Sequence, residues 1–237
     1  MKKVVVVPTY NEREGLPAFL ARFPHELFDM LVVDDSSPDG TADLVRDEAT
    51  SRPWLQLVVR PVKDGLAGAY RSGFAWALEH GYDVVGQMDS DLQHPPETLA
   101  PMLDALAEAD LVVGSRYVAG SETSDWPWIR RFLSRLAGIP TNVLLRLPVK
   151  DPSGGFKLWR ASALRTIDVG STVSRGYVFQ IETTYRAKRA GLRIREVPFT
   201  FATRARGESK LTPDVSREGI RVVLSLFLHP WRPPSGG

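Results

Sequence analysis

The run Met88-Asp89-Ser90-Asp91-Leu92-Gln93-His94-Pro95-Pro96 carries the most informative chemistry in the chain. Carboxylates at i and i+2 just beyond a strand can converge on one hard cation, directly or through water. Mg2+ or Mn2+ held by Asp89 and Asp91 completes its shell with diphosphate oxygens and water. As a Lewis acid, such an ion neutralises charge on a departing nucleoside diphosphate. Gln93 adds a neutral oxygen nearby. His94 reads as a ligand, a base or a hydrogen bond at a helix entry, and the last is favoured. Two further clusters accompany this one. Pro8-Thr9-Tyr10-Asn11-Glu12 ends an apolar run, and the Tyr10 ring suits stacking on a base or sugar. A dinucleotide cofactor would require glycines at that turn. None is present, which counts against an oxidoreductase. Val32-Val33-Asp34-Asp35-Ser36-Ser37-Pro38-Asp39-Gly40-Thr41 holds two adjacent carboxylates. At a strand end these point in opposite directions, so at most one faces a given ligand, and Asp35 is placed to accept from a base N–H. Pro38-Asp39-Gly40 is a turn signature. Thr41 reads as the cap of the next helix, and Asp39 as turn chemistry or a further nucleotide contact.

These clusters need a scaffold, and the first half of the chain alternates strand and helix signals. Strands are expected at Val4–Val7, Leu31–Val33, Leu55–Val59, Val84–Met88 and Leu111–Val113. Helices are expected at Arg13–Phe23, Thr41–Ser51 and Leu66–His80, with another opened by Pro95-Pro96, since proline favours first-turn positions. Short, continuous apolar strands alternating with helices imply an α/β fold, a mostly parallel sheet covered on both faces. Ligands bind beyond the carboxyl ends of such strands, where all three clusters lie. After Arg116 the pattern loosens. Trp126–Leu147 is a basic, aromatic-rich helical stretch broken at Pro140. Strands follow at Gly154–Arg160 and Ile194–Phe201, and helices at Gln180–Ala190 and Val215–Leu228.

The 237 residues, 43% of them hydrophobic, suffice for one well-buried domain. The chain has no Cys, which excludes disulfides and thiolate chemistry and fits a cytoplasmic protein. No stretch approaches the roughly 20 apolar residues that span a bilayer. Charge is uneven. Residues 1–110 carry 9 Lys/Arg against 19 Asp/Glu, and residues 111–237 carry 21 against 9. An acidic half suits a cation; a basic half suits an anionic partner. No nucleic-acid motif is present, so nucleic acid is not expected among the partners.

Taken together, the three clusters resemble the family-2 glycosyltransferases, and within them the polyprenyl-phosphate (dolichol-phosphate) mannose synthase group. The resemblance continues through Gly65-Leu66-Ala67-Gly68-Ala69-Tyr70, Val113-Gly114-Ser115-Arg116-Tyr117 and Asp151-Pro152-Ser153-Gly154-Gly155-Phe156-Lys157. It ends with Tyr177-Val178-Phe179-Gln180-Ile181-Glu182 and Arg204-Ala205-Arg206-Gly207-Glu208-Ser209-Lys210-Leu211. The resemblance implies a GT-A-type nucleotide-sugar fold as a single domain with acceptor-side helices. It assigns base and ribose contacts to Pro8, Tyr10, Glu12 and Asp35, and metal and donor contacts to Asp89, Asp91 and Gln93. Arg116, an arginine at Arg130 or Arg131, Arg204 and Lys210 would hold phosphates, with Asp89, Asp91, Arg204 and Lys210 as the catalytic set. Arginine clamps phosphate oxygens bidentately, and a reaction between two anions needs such compensation. The chain departs from many relatives at Gly138 and Pro140-Thr141, and Lys157 stands where an arginine is common. The Gln-x-x-Arg-Trp signature of processive enzymes is absent, which argues against a polymer synthase.

The implied reaction is inverting transfer of mannose from GDP-mannose to a polyprenyl phosphate, with Mg2+ or Mn2+ as cofactor. An acceptor phosphate is already ionised and needs no general base. The rivals are a same-fold transferase using UDP-glucose or a soluble acceptor, and a non-catalytic nucleotide-sugar or membrane binding partner. Residues 1–211 are expected to form the transferase domain and 212–237 an amphipathic helix and tail. A lipid acceptor implies a peripheral protein on the cytoplasmic face of a membrane, alone, as an oligomer or with a membrane-protein partner. Two segments suit that surface. Trp126, Trp128, Phe132 and Leu136 interleave with Arg130, Arg131 and Arg135, and Ile220, Val223, Leu224, Phe227 and Leu228 recur at helical spacing.

Overall fold

The computed structural model describes residues 1–121, 141–201 and 213–233, apart from the side chains of 213–218. The strands are β1 (Lys3–Thr9), β2 (Asp29–Asp34), β3 (Leu55–Val59), β4 (Val84–Gln87), β5 (Leu111–Ser115), β6 (Lys157–Arg160) and β7 (Ile194–Pro198). Among the described residues they form one 7-stranded sheet in the order β3-β2-β1-β4-β6-β5-β7. Every pairing is parallel except those of β6, which runs antiparallel to both β4 and β5. The helices are α1 (Leu16–Arg22), α2 (Thr41–Ala49), α3 (Leu66–Glu79), α4 (Leu99–Ala105), α5 (Ala161–Thr166), α6 (Val178–Arg189) and α7 (Pro213–Leu228).

The run of valines in β1 explains why both faces are covered. Alternate side chains of a strand point to opposite faces. Val4 and Val6 join Tyr70, Phe74, Trp159 and Phe179 on one face, while Val5 and Val7 join Phe19, Met30, Met88 and Phe156 on the other. All four valines are fully buried. A strand apolar on both sides is stable only with helices on both sides. Helix α7 adds its inner residues Val223 and Leu226 to the first of these cores.

Strand order fixes where a ligand can sit. The chain winds from β1 outward to β3, then returns to the other side of β1 with β4. That reversal opens a crevice beyond the carboxyl ends of β1 and β4. Because β6 runs the opposite way, the loop that precedes it, residues 151–156, lies at this same end of the sheet. The sequence led to a mostly parallel sheet and did not foresee this reversal.

Most expected elements are present with ends shifted by one to three residues. Helix α1 begins at Leu16 rather than Arg13, because the Glu12 carbonyl accepts from Gly15 and Leu16 in a turn and the Arg13 N–H is held by Asp39 at 3.1 Å. Thr41 is the first residue of α2 and not its cap. Gly40, at φ 82°, precedes the helix, and the Thr41 hydroxyl donates to Asp39 and accepts from the Glu12 N–H. The expected helical stretch Trp126–Leu147 falls for the most part outside the described residues.

Gly73 lets α3 approach the sheet. A Cβ there would lie 2.4 Å from Val6 Cγ1 and 3.1 Å from Val33 Cγ2. Alanine is a better helix former than glycine by about 1 kcal/mol, yet overpacking a rigid strand costs about 1–3 kcal/mol. Gly73→Ala is therefore expected to lower the urea midpoint without changing the slope of the transition. An unchanged or raised midpoint would show that the helix can shift away from the sheet at no cost.

Candidate active site

The loops after β1, β2, β4 and β5, with the loop before β6, supply the side chains at the crevice. Asp34 ends β2 fully buried and accepts from Thr9 Oγ1 (2.9 Å), the Ser37 N–H (2.8 Å) and Ser37 Oγ (2.6 Å). It therefore fastens β1 to the turn after β2, leaving Asp35 as the carboxylate directed elsewhere, as their alternation requires. Asp35 is paired with Arg60 at 2.7 Å. Burial pushes its pKa up, and the Arg60 guanidinium pulls the other way without cancelling the rise. Arg60 also pairs with Asp64, so the base-side wall is a chain of charges extending beyond β3.

The Tyr10–Glu12 loop is stitched to the 37–41 turn. The Asn11 N–H donates to Ser37 Oγ (3.0 Å) and the Glu12 N–H to Thr41 Oγ1 (3.1 Å). Pro8, Tyr10 and Glu12 are partly exposed here, and the Lys63 ammonium lies 3.1 Å from the centre of the Tyr10 ring. Asp39 behaves as a turn residue. One oxygen accepts from the Thr41 N–H and hydroxyl, the other from the Arg13 N–H. Burial opposes its charge, but these donors outweigh burial and lower its pKa.

Beyond β4 the chain reverses at Leu92, whose φ is 61°. Asp91 accepts the Gln93 N–H at 3.1 Å, so the loop closes on its own carboxylate. Asp89 is about one-third exposed and accepts a long 3.4 Å bond from the Tyr70 phenol. Burial, then the Asp89 charge, push the Tyr70 pKa well above its ordinary value, so the phenol keeps its proton and remains a donor. His94 is buried against Phe156, ring centres 5.0 Å apart, with Phe199 and Phe201 edge-on. Its Nδ1 accepts the Asp89 N–H at 3.1 Å, which puts the ring proton on Nε2. Burial lowers its pKa against the pull of Asp89 and Asp91. His94 is thus a neutral brace for the loop, consistent with the helix-entry reading.

Two residues the sequence did not single out prove important. Asp151, fully buried, takes Arg116 in a fork, with Nε and Nη2 each at 2.7 Å. Arg116 Nη2 also donates to Ser153 Oγ at 3.0 Å. Burial works against the guanidinium charge, and Asp151 restores and raises its pKa. Arg116 was expected to hold phosphate, but the structure gives two of its nitrogens to Asp151 and leaves Nη1 as its means of reaching an anion. Glu196 of β7 accepts the Lys150 and Asp151 N–H groups at 2.8 and 3.1 Å and fixes the loop. Below it, the Trp159 indole donates to Gln87 Oε1 (3.1 Å), and Gln87 Nε2 donates to the Gly155 carbonyl (3.1 Å) and Gln180 Oε1 (2.5 Å). Arg130, Arg131, Arg204 and Lys210 lie outside the described residues.

The donor set at Asp89, Asp91 and Gln93 consists of hard oxygens, which fits Mg2+ or Mn2+. Among the described residues no group of three His, Cys, Asp or Glu could hold an ion. An ion held by Asp89 and Asp91 would take further oxygens from substrate and water. Comparison with known proteins agrees with this chemistry: residues 4–168 match the family described as Glycosyl transferase family 2. The chain belongs to that family. The undecaprenyl-phosphate mannosyltransferase of Micrococcus luteus is 43% identical over 93% of this chain and 91% of its own length. The polyprenol monophosphomannose synthase of Mycolicibacterium smegmatis is 42% identical over 92% of this chain and 84% of its own. A mannosyltransferase from Pyrobaculum calidifontis, solved in complex with GDP-Man and Mn2+, superposes with a TM-score of 0.56 at 20% identity, covering 97% of this chain and 70% of that one. The fold is that of GT-A-type glycosyltransferases.

Beneath the crevice the sheet holds a buried amine. Lys157 of β6 is fully buried and donates to the Gln180 carbonyl (2.6 Å) and Thr183 Oγ1 (3.2 Å). Burial pushes its amine down to about 7 from the ordinary 10.5, against an upward pull from Asp151. Well below pH 7 the amine is charged in both the folded and the unfolded chain, so the penalty of burying the charge is felt in full. Between those values the unfolded chain binds the additional proton, and stability rises with pH. The stability of the parent relative to Lys157→Met should therefore rise from about pH 6 to about pH 10, read as the difference in urea midpoints. A difference that stays flat with pH would mean the amine does not titrate in this window.

Proposed function

We propose that this protein transfers mannose, with inversion, from GDP-mannose to the phosphate of a polyprenyl carrier at the cytoplasmic face of a membrane. The observation that supports the reading is that the loop carrying Asp89, Asp91 and Gln93 follows β4 while those carrying Tyr10, Glu12 and Asp35 follow the neighbouring β1 and β2, at the same end of the sheet. Base and ribose would lie against Pro8, Tyr10, Glu12 and Asp35, and the diphosphate against the 89–93 loop. A divalent cation held by Asp89, Asp91 and Gln93 supplies charge neutralisation for the departing diphosphate. Tyr70 and His94 keep that loop in position from beneath. The names of the two sequence relatives support mannose as the sugar and a polyprenyl phosphate as the acceptor.

The nucleophile would be an acceptor phosphate oxygen. Its attack on the anomeric carbon forms a C–O bond as the bond to the diphosphate breaks, and the electron pair leaves with GDP. Attack opposite the leaving group inverts that carbon. Such an acceptor arrives ionised and needs no general base, and two groups that could act as one are committed to the fold. His94 Nδ1 accepts the Asp89 N–H. Glu182 is held by Arg186 at 2.8 Å, by the Ser174 N–H at 3.0 Å and by the Ser174 hydroxyl. Arg116 Nη1, one of Arg130 and Arg131, Arg204 and Lys210 would hold the phosphates, so that catalysis reduces to alignment and charge stabilisation.

Asp91→Ala is expected to lower turnover by about a hundredfold or more while the thermal midpoint is retained. Near-parental turnover with Mg2+ or Mn2+ present would remove the metal-site assignment. A panel of GDP-mannose, UDP-glucose and UDP-N-acetylglucosamine, each offered with a short polyprenyl phosphate, should give lipid-linked hexose with GDP-mannose alone. Product from UDP-glucose, or transfer to a soluble acceptor, would move the protein to a sister specificity. Lys210→Ala should lower transfer more than it weakens GDP-mannose binding, measured by titration calorimetry.

A further inference from the structure

Helix α7 is apolar on two sides. Val223 and Leu226 face the core, while Ile220, Leu224, Phe227 and Leu228 are 47–65% exposed. These four recur at i, i+4, i+7 and i+8 and so form one outward stripe. A contiguous apolar patch of this kind on a soluble surface marks an interaction site. Arg221 lies beside it, exposed.

The helix runs alongside α6 in the same direction. The Cβ position of Gly219 lies 3.7 Å from Val178 Cγ2, and Tyr185 Oη donates to the Leu226 carbonyl at 3.1 Å. The stripe therefore starts beside the end of α6 that carries Gln180, under the active site, and ends beside Lys188 and Arg189. At that far end is a recess of about 230 Å³ whose walls include Leu145, Arg146, Tyr185, Lys188, Arg189 and Phe227. Three cations line it and no carboxylate does. Lys188 is anchored to the Leu145 carbonyl at 2.9 Å, and burial, Arg189 and Arg146 together lower its pKa. The cations are therefore close enough to repel one another, and an anion would relieve that repulsion.

We propose that this face seats the protein on an anionic bilayer, with the α7 stripe in the acyl boundary and lipid phosphates against Arg146, Lys188 and Arg189. An apolar stripe edged by cations is the composition that holds a helix in the plane of such an interface. The inference rests on the lipid-acceptor reading, since it lays the active-site end of α6 along the surface in which that acceptor resides.

The test is sedimentation of the full chain with vesicles of phosphatidylcholine alone or mixed with phosphatidylglycerol, at low salt. The parent should sediment with the anionic vesicles and be released by salt. Arg146→Ala/Arg189→Ala and Leu224→Ser/Phe227→Ser should each bind about tenfold more weakly or worse, with unchanged thermal midpoints. Both variants should retain parental transfer to a short, water-soluble prenyl phosphate and lose about tenfold on a long-chain acceptor embedded in the same vesicles. No sedimentation of the parent, or equal sedimentation of the variants, would overturn the proposal. A lipid-free dimer dissolved by Leu224→Ser would assign the face to a second copy and would also overturn it. Should the parent transfer to neither acceptor, the lipid-acceptor reading falls while sedimentation still decides the docking surface.

Discussion

The structure depends on how negative charge is held at one end of the sheet. Asp34, Asp35, Asp39, Asp89, Asp91 and Asp151 all gather there, and like charges gathered in a partly buried place repel one another. The compensation is uneven. Asp34 has three hydrogen-bond donors, Asp35 has Arg60, Asp39 has the turn, and Asp151 has both arms of Arg116. Among the described residues the Asp89 carboxylate receives one long bond, from Tyr70, and its N–H is taken by a neutral imidazole. Asp89 is thus the least compensated of the carboxylates whose partners are described above, and a cation would settle favourably beside it. Structural carboxylates and a less firmly held one share the same end of the sheet, and their partners tell them apart.

That arrangement needs the loop before β6 as much as the loops after the parallel strands. Without the reversed strand, Asp151 would lie at the opposite end of the sheet and Arg116 would have no buried partner. The packing that allows the reversal is costly. Lys157 keeps an amine in the core, and Trp159, Gln87 and Gln180 form a polar chain through the strands. The indole N–H can only donate, so it fixes which way Gln87 points, and Gln87 in turn fixes Gln180. The orientation of the site floor is set by one donor without an alternative.

Much of this was legible in the sequence. A strand buried on both faces writes itself as a short apolar run, and Val4–Val7, Leu31–Val33 and Leu111–Val113 were readable for that reason. The direction of β6 was not, because Lys-Leu-Trp-Arg carries the same alternation whichever way it is traversed. Side-chain roles were legible where they depend on near neighbours, as in the turn at Pro38-Asp39-Gly40, where Asp39 accepts from Thr41. They were hidden where a partner lies far along the chain. Asp39 holding the Arg13 N–H, Asp35 pairing with Arg60 and Arg116 forking onto Asp151 all join residues about 25 to 35 positions apart. The spacing of residue types says nothing about such contacts until the sheet has brought the loops together.

The charge asymmetry of the two halves then acquires a mechanical sense. The acidic half builds the crevice in which a cation can offset a nucleotide's diphosphate. The basic half supplies Arg116 beside that crevice and Arg146, Lys188 and Arg189 at the far end of α6. A transfer between two anions fails if both are drawn to one positive well, since they would compete for it. Separating the wells along a rigid helix allows a carrier's surroundings to be gripped at a distance from the reacting phosphate. His94 and Glu182 are each committed to holding backbone in place, so at the inner end of that helix they shape the crevice and leave the charge balance to the carboxylates and cations around it.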